Sequence, residues 1–133
     1  KEGVVIRKAR ILDAFSTLSR LHEAMLVEGA GGLLVPVSER LMIADIAKAM
    51  NLELIIVVAN RLGCVNHTLL TIEAAKSRKL RVNAVILNDV SDKLDESCEG
   101  NASLISKHGK TRTLSVPFGA DDHVFRELAE RLF

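Results

Sequence analysis

The segment Leu54-Ile55-Ile56-Val57-Val58-Ala59 restricts the fold more than any other part of the chain. Its six apolar residues in succession, four of them β-branched, leave no polar face for solvent. That pattern suits a strand covered on both sides, the usual state of a parallel sheet. The run is far too short to cross a bilayer. Parallel neighbours cannot be joined by a tight turn; they need crossovers of a dozen residues or more, usually helical. The rest of the chain is therefore expected to alternate strands with helices.

The spacing of apolar residues follows this expectation. Ile11, Leu12, Phe15, Leu18 and Leu21 predict an amphipathic helix over residues 10–24, and Met25-Leu26-Val27 a short strand after it. Residues 38–50 return to helical spacing, with Ser38 a capping type. Beyond the apolar run, residues 66–79 predict a helix, 82–87 an apolar strand and 94–108 a weaker, polar helix. Residues 113–116 predict a short strand stopped by Pro117, and 121–132 a closing amphipathic helix. The expectation is one α/β domain over 1–133, a parallel sheet with helices on both faces.

Charge and composition then exclude several classes of function. With 18 basic and 17 acidic residues the net charge is +1, so there is no electrostatic case for nucleic acid or an anionic membrane as partner. No Trp or Tyr and four Phe leave no stacking platform for single strands. Cys64 and Cys98 have no further cysteine at metal-ligand spacing and suit a reducing compartment. No signal-like segment is visible, and a cytoplasmic location is expected.

Ligands in open parallel sheets bind beyond the carboxyl ends of the strands. Three such ends carry unusual residues. In Glu28-Gly29-Ala30-Gly31-Gly32, a carboxylate after a strand suits Mg²⁺, which takes one or two carboxylates plus phosphate oxygens and water. The glycines let backbone amides approach a ligand; a tight turn with an exposed Glu is the plainer reading. At Asn60-Arg61-Leu62-Gly63-Cys64-Val65-Asn66-His67, a helix start can receive an anion, or Asn66 can simply cap it. At Asn88-Asp89, the side-chain amide matches a purine edge or forms an Asx turn. Gly109-Lys110-Thr111 imitates the end of a phosphate-binding loop, but Leu104 stands where the leading Gly belongs and a helix precedes it, so a polar turn is expected. The histidines at 22, 67, 108 and 123 form no zinc motif.

In order along the chain, Val27-Glu28-Gly29-Ala30-Gly31-Gly32 with Val35-Pro36, Ala44-Asp45-Ile46-Ala47, the stretch from Asn60 through Leu62-Gly63-Cys64-Val65-Asn66-His67-Thr68, Leu87-Asn88-Asp89 and Val116-Pro117-Phe118 form a series. This series resembles that of the dethiobiotin synthetases, ATP-dependent cyclo-ligases of biotin synthesis with a P-loop NTPase-like three-layer fold. The resemblance implies a reaction of 7,8-diaminononanoate, CO₂ and ATP with Mg²⁺, by carbamate formation, phosphorylation and ureido ring closure. It implies Glu28 as catalytic residue and Mg²⁺ ligand, with Gly29, Gly31 and Gly32 contacting the reacting part of the substrate. Gly63, Cys64, Val65 and Asn66 would receive the substrate's carboxylate tail across the interface of a homodimer. Asn88 would read adenine, with Pro117, Phe118 and Gly119 beside the base.

The family's Gly-Lys-Thr phosphate cradle, and the strand that follows with a further acidic ligand and carbamate-steadying lysines, have no counterpart among these residues. The expectation is a C-terminal portion of a longer chain, a partial P-loop NTPase-like sheet that does not turn over alone. Two other readings remain open: a non-catalytic binding or dimerisation module of the same fold, and a related P-loop amide-forming synthase.

Overall fold

Alternation of strand and helix persists in the computed structural model, which describes residues 6–93 and 96–133. In chain order the elements are helix α1 (Lys8–Ser19), strands β1 (Pro36–Ser38) and β2 (Leu41–Met42), helix α2 (Ile43–Ala49), strand β3 (Leu54–Ala59) and helix α3 (Cys64–Ser77). Strand β4 (Val82–Asn88), a 3₁₀ turn (Glu96–Cys98), helix α4 (Asn101–Gly109), strand β5 (Arg112–Val116) and helix α5 (Asp122–Leu132) complete them.

Strands β3, β4 and β5 form a parallel sheet in that order, flanked by helices. Ile56 pairs with Val85 and Val58 with Leu87, so these four side chains share one face. There α3 contributes Cys64 and Ile72 and α4 contributes Ile105, all buried with Val85 and Leu87 in one cluster. The opposite face is covered unevenly. Leu114 of β5 is buried, its partner Ile86 is half-buried, and Val57 of β3 is 68% exposed. Arg112 donates to the Arg131 carbonyl and so ties α5 to β5. Asp121 caps α5, its Oδ1 accepting from His123 N at 3.0 Å and Val124 N at 3.2 Å.

Several expectations are corrected. β3 is not buried on both faces: Val57 is exposed, and among the described residues the strand pairs only with β4 and stands at the sheet edge. Residues 25–27 form no strand: they have no ladder partner, and Leu26 is exposed. This segment and β3 both line a cavity of about 740 Å³ and are not paired with each other, so the ladder a strand requires is not made. The expected helix over 38–50 begins only at Ile43. Ser38 lies in the antiparallel pair β1–β2, and Asp45 Oδ2 accepts from Met42 N at 2.9 Å to close the helix start instead. The first helix runs Lys8–Ser19, shifted towards the N-terminus from 10–24. The polar helix over 94–108 resolves into the 3₁₀ turn and α4; Leu94 lies outside the described residues.

Candidate functional site

The glycine-rich segment is docked on the start of α2. Ile43 N donates to Val35 O at 3.1 Å, Ala44 N to Leu33 O at 2.9 Å, and Val35 N to Gly32 O at 3.0 Å. The approach is too close for side chains at Gly29, where a Cβ would lie 2.9 Å from Ile43 Cγ2. Gly31 adopts φ +81°, a conformation that L side chains rarely take. Glu28 precedes this turn and is exposed on the cavity wall.

The second candidate begins at a left-handed residue. Gly63, at φ +88°, is the N-cap of α3, and His67 N donates back to Gly63 O at 3.2 Å. The helix therefore starts at Cys64, two residues earlier than expected, and Asn66 stands exposed in its first turn without capping it. Cys64 N is already bonded to Arg61 O at 3.0 Å; the next first-turn amides, of Val65 and Asn66, have no intrahelical acceptor and can receive an anion. Cys64 is buried in the core cluster, which makes it a packing residue. Gly63→Ala is expected to destabilise the protein by about 1 kcal/mol through left-handed strain, read as a lower urea midpoint.

Parts of these two candidates line one cavity. Glu28, Gly29, Gly31 and Gly32 line the cavity together with Arg61, Cys64, His67, Thr68 and Thr71. Asn66, Val65 and Gly63 lie beside it and do not line it.

The third candidate forms a separate group. Ala59, Asn88 and Val116 are in register across the sheet, so Asn88 ends β4 level with the last residue of β5, one before Pro117. Asp89 N donates to Val116 O at 2.9 Å, and Ala120 N to Pro117 O at 3.2 Å closes a turn through Phe118 and Gly119. None of Asn88, Pro117, Phe118 or Gly119 lines the cavity.

Sequence reasoning missed a polar cluster between the groups. Asn60 Nδ2 donates to Asp89 Oδ1 at 2.8 Å, and Asn101 Nδ2 donates to Asn60 Oδ1 at 2.9 Å. A polar residue directly after an apolar strand is the one signal that marked it.

Gly109-Lys110-Thr111 is a turn, as expected. Gly109 ends α4 against α3, where a Cβ would meet Ile72 Cδ1 at 2.7 Å, and its carbonyl accepts from Thr111 Oγ1 at 3.1 Å. Among the described residues no three His, Cys, Asp or Glu side chains gather as metal ligands. No helix of the described residues is long and apolar enough to cross a membrane.

The AAA domain family matches residues 1–119. The chain is 41% identical over 130 residues to the ATP-dependent dethiobiotin synthetase BioD of Anaeromyxobacter sp. (strain Fw109-5), covering 98% of this chain and 56% of the relative. It is 37% identical over 106 residues to that of Bacillus subtilis (strain 168), covering 80% and 46%. With that of Akkermansia muciniphila it shares 33% identity over 132 residues, covering 98% and 62%. The chain thus spans about half the length of the curated relatives it matches. With its parallel sheet, its glycine turn and its motif order, the chain belongs to the AAA domain family, and the relatives it resembles there are dethiobiotin synthetases.

Proposed function

We propose that residues 1–133 are one α/β domain, the C-terminal part of a longer ATP-dependent dethiobiotin synthetase that acts in the cytoplasm. In this reaction 7,8-diaminononanoate and CO₂ give a carbamate, ATP phosphorylates it, and the second amine closes the ureido ring with loss of phosphate. The observation that carries the reading is the shared cavity, which the Glu28 turn lines together with Arg61, Cys64, His67, Thr68 and Thr71.

Glu28 suits Mg²⁺ as one carboxylate among phosphate oxygens and waters, since Mg²⁺ is seldom caged by protein alone. When bound, the ion offsets charge on the transferring phosphoryl group. Gly29, Gly31 and Gly32 offer backbone without side chains to the reacting end of the substrate. At the other end, the α3 start at Gly63, Cys64, Val65 and Asn66 meets the carboxylate tail with its free amides and the positive end of the helix dipole, and Asn66 adds a hydrogen bond from its side-chain amide. Asn88 presents a donor and an acceptor to adenine, with Pro117, Phe118 and Gly119 beside the ring. Leu62, 81% exposed before the α3 start, and Leu70, 61% exposed on α3, suit a second copy of the chain, across whose interface the tail binds. The phosphate cradle belongs to the part of the enzyme outside these residues, which do not turn over alone.

The full chain encoded by the gene, given the diamine, bicarbonate, Mg²⁺ and ATP, is expected to form dethiobiotin and ADP, and the 133-residue segment neither. Dethiobiotin from the segment alone, or none from the full chain, overturns the reading. Asn66→Ala is expected to raise the apparent KM for the diamine about tenfold, the scale of one hydrogen bond to a charged group. An unchanged KM removes Asn66 from the carboxylate site.

A further inference from the structure

Asn60 is 7% exposed and Asn101 is 6% exposed, and a polar side chain so buried must be bonded or it destabilises the fold. Asn60 meets that demand with four contacts from three directions. Its backbone N donates to Asn88 O at 2.8 Å, continuing the β3–β4 ladder one residue beyond the strands. Cys98 Sγ lies 3.5 Å from its carbonyl oxygen, which accepts the weak S–H bond. Its amide donates to Asp89 Oδ1 and accepts from Asn101 Nδ2, the first residue of α4. The orientation of that amide is fixed by chemistry, because an ionised carboxylate only accepts.

The position of this residue matters as much as its bonds. Asn60 directly precedes Arg61-Leu62-Gly63, the loop that opens α3. Asp89 directly follows Asn88, and Asp89 N is bonded to Val116 O just before Pro117. One buried side chain therefore ties the strand end bearing the adenine candidates to the loop bearing the carboxylate-tail candidates.

We propose that Asn60 is a positioning residue that locks the adenine-side strand end of β4 to the helix start of α3, through its paired bonds to Asp89 and Asn101. The inference rests on the reading of Asn88 and the α3 start given above. Neither Asp nor an apolar residue can replace it. A carboxylate at position 60 would face the Asp89 carboxylate across a distance of 2.8 Å, and an apolar side chain would strand both partners.

The test uses the full chain with ADP, pyrophosphate and 7,8-diaminononanoate as probes in calorimetric titrations. Asn60→Asp is expected to weaken ADP and diamine binding about tenfold each. Pyrophosphate, which has no base to position, is expected to bind as it does to the wild type. The exchanged pair, Asn60→Asp with Asp89→Asn, restores a donor facing an acceptor, and the new carboxylate can accept from both neighbours. It is expected to recover ADP affinity to within about threefold of wild type. If Asn60→Asp does not fold, the exchanged pair carries the test alone, and weak ADP binding by it overturns the proposal. Equal loss of ADP and pyrophosphate binding would mark a general structural role and also overturn it. A wild-type chain that binds no ADP defeats the functional reading itself, whereas ADP binding indifferent to Asn60→Asp defeats only the positioning role.

Discussion

Glu28→Gln is expected to lower Mg²⁺-dependent turnover of the full chain about a hundredfold or more while leaving its thermal midpoint almost unchanged. The amide keeps the size and shape of the carboxylate but removes the charge that holds a hard cation. Phosphoryl transfer depends on positioning and charge neutralisation, so a displaced ion removes most of what the site contributes. Folding should be indifferent. Glu28 is exposed, and no ion pair or hydrogen bond of its side chain holds the described residues together. Surface substitutions of that kind stay within about 0.5 kcal/mol. Turnover against Mg²⁺ concentration, measured beside a melting curve, separates the two roles. Parallel losses of stability and activity would make Glu28 a structural residue.

Ile72→Ala is expected to have the largest effect on stability, about 2–5 kcal/mol, against the 5–15 kcal/mol that holds a typical domain together. Ile72 is 1% exposed and sits where α3 meets the sheet, in the cluster with Cys64, Val85, Leu87 and Ile105. Gly109 closes the other side so tightly that no Cβ fits there, so the surroundings have little room to collapse into the void. Ile72→Val removes one methylene and should lose only about 0.5–1.5 kcal/mol. Urea denaturation of both variants checks the ratio. A loss below about 1 kcal/mol for Ile72→Ala would show that the α3–sheet contact relaxes freely.

Much of the fold was legible because its signals are short-range. The apolar run at Leu54–Ala59 became β3 with those bounds, and Asp121 was readable as the start of the last helix. Those outcomes depend on neighbours within a few residues: continuous apolar side chains, or a carboxylate two and three residues before free amides. Where the same local logic met a long-range partner, it failed. The helical spacing of residues 38–50 is real, yet Pro36–Ser38 pairs with Leu41–Met42 and the helix waits until Asp45 can close on Met42. Asn66 has the chemistry of a cap, but Gly63 in the left-handed region turns the chain earlier.

By itself, the sequence determined the strand–helix alternation, the parallel sheet and the motif series that marks the family. Each of these follows from residue type and spacing within one segment. Only the tertiary structure decided that residues 25–27 stay unpaired, that β3 stands at the edge of the described sheet, and that the Glu28 turn and the α3 start share a cavity. It alone joined Asn60 to Asp89 and Asn101, partners 29 and 41 residues away. The physical reason is common to all of these. A ladder, a cavity or a buried polar bond needs a second segment, and which segment arrives is set by packing of the whole sheet and its helices.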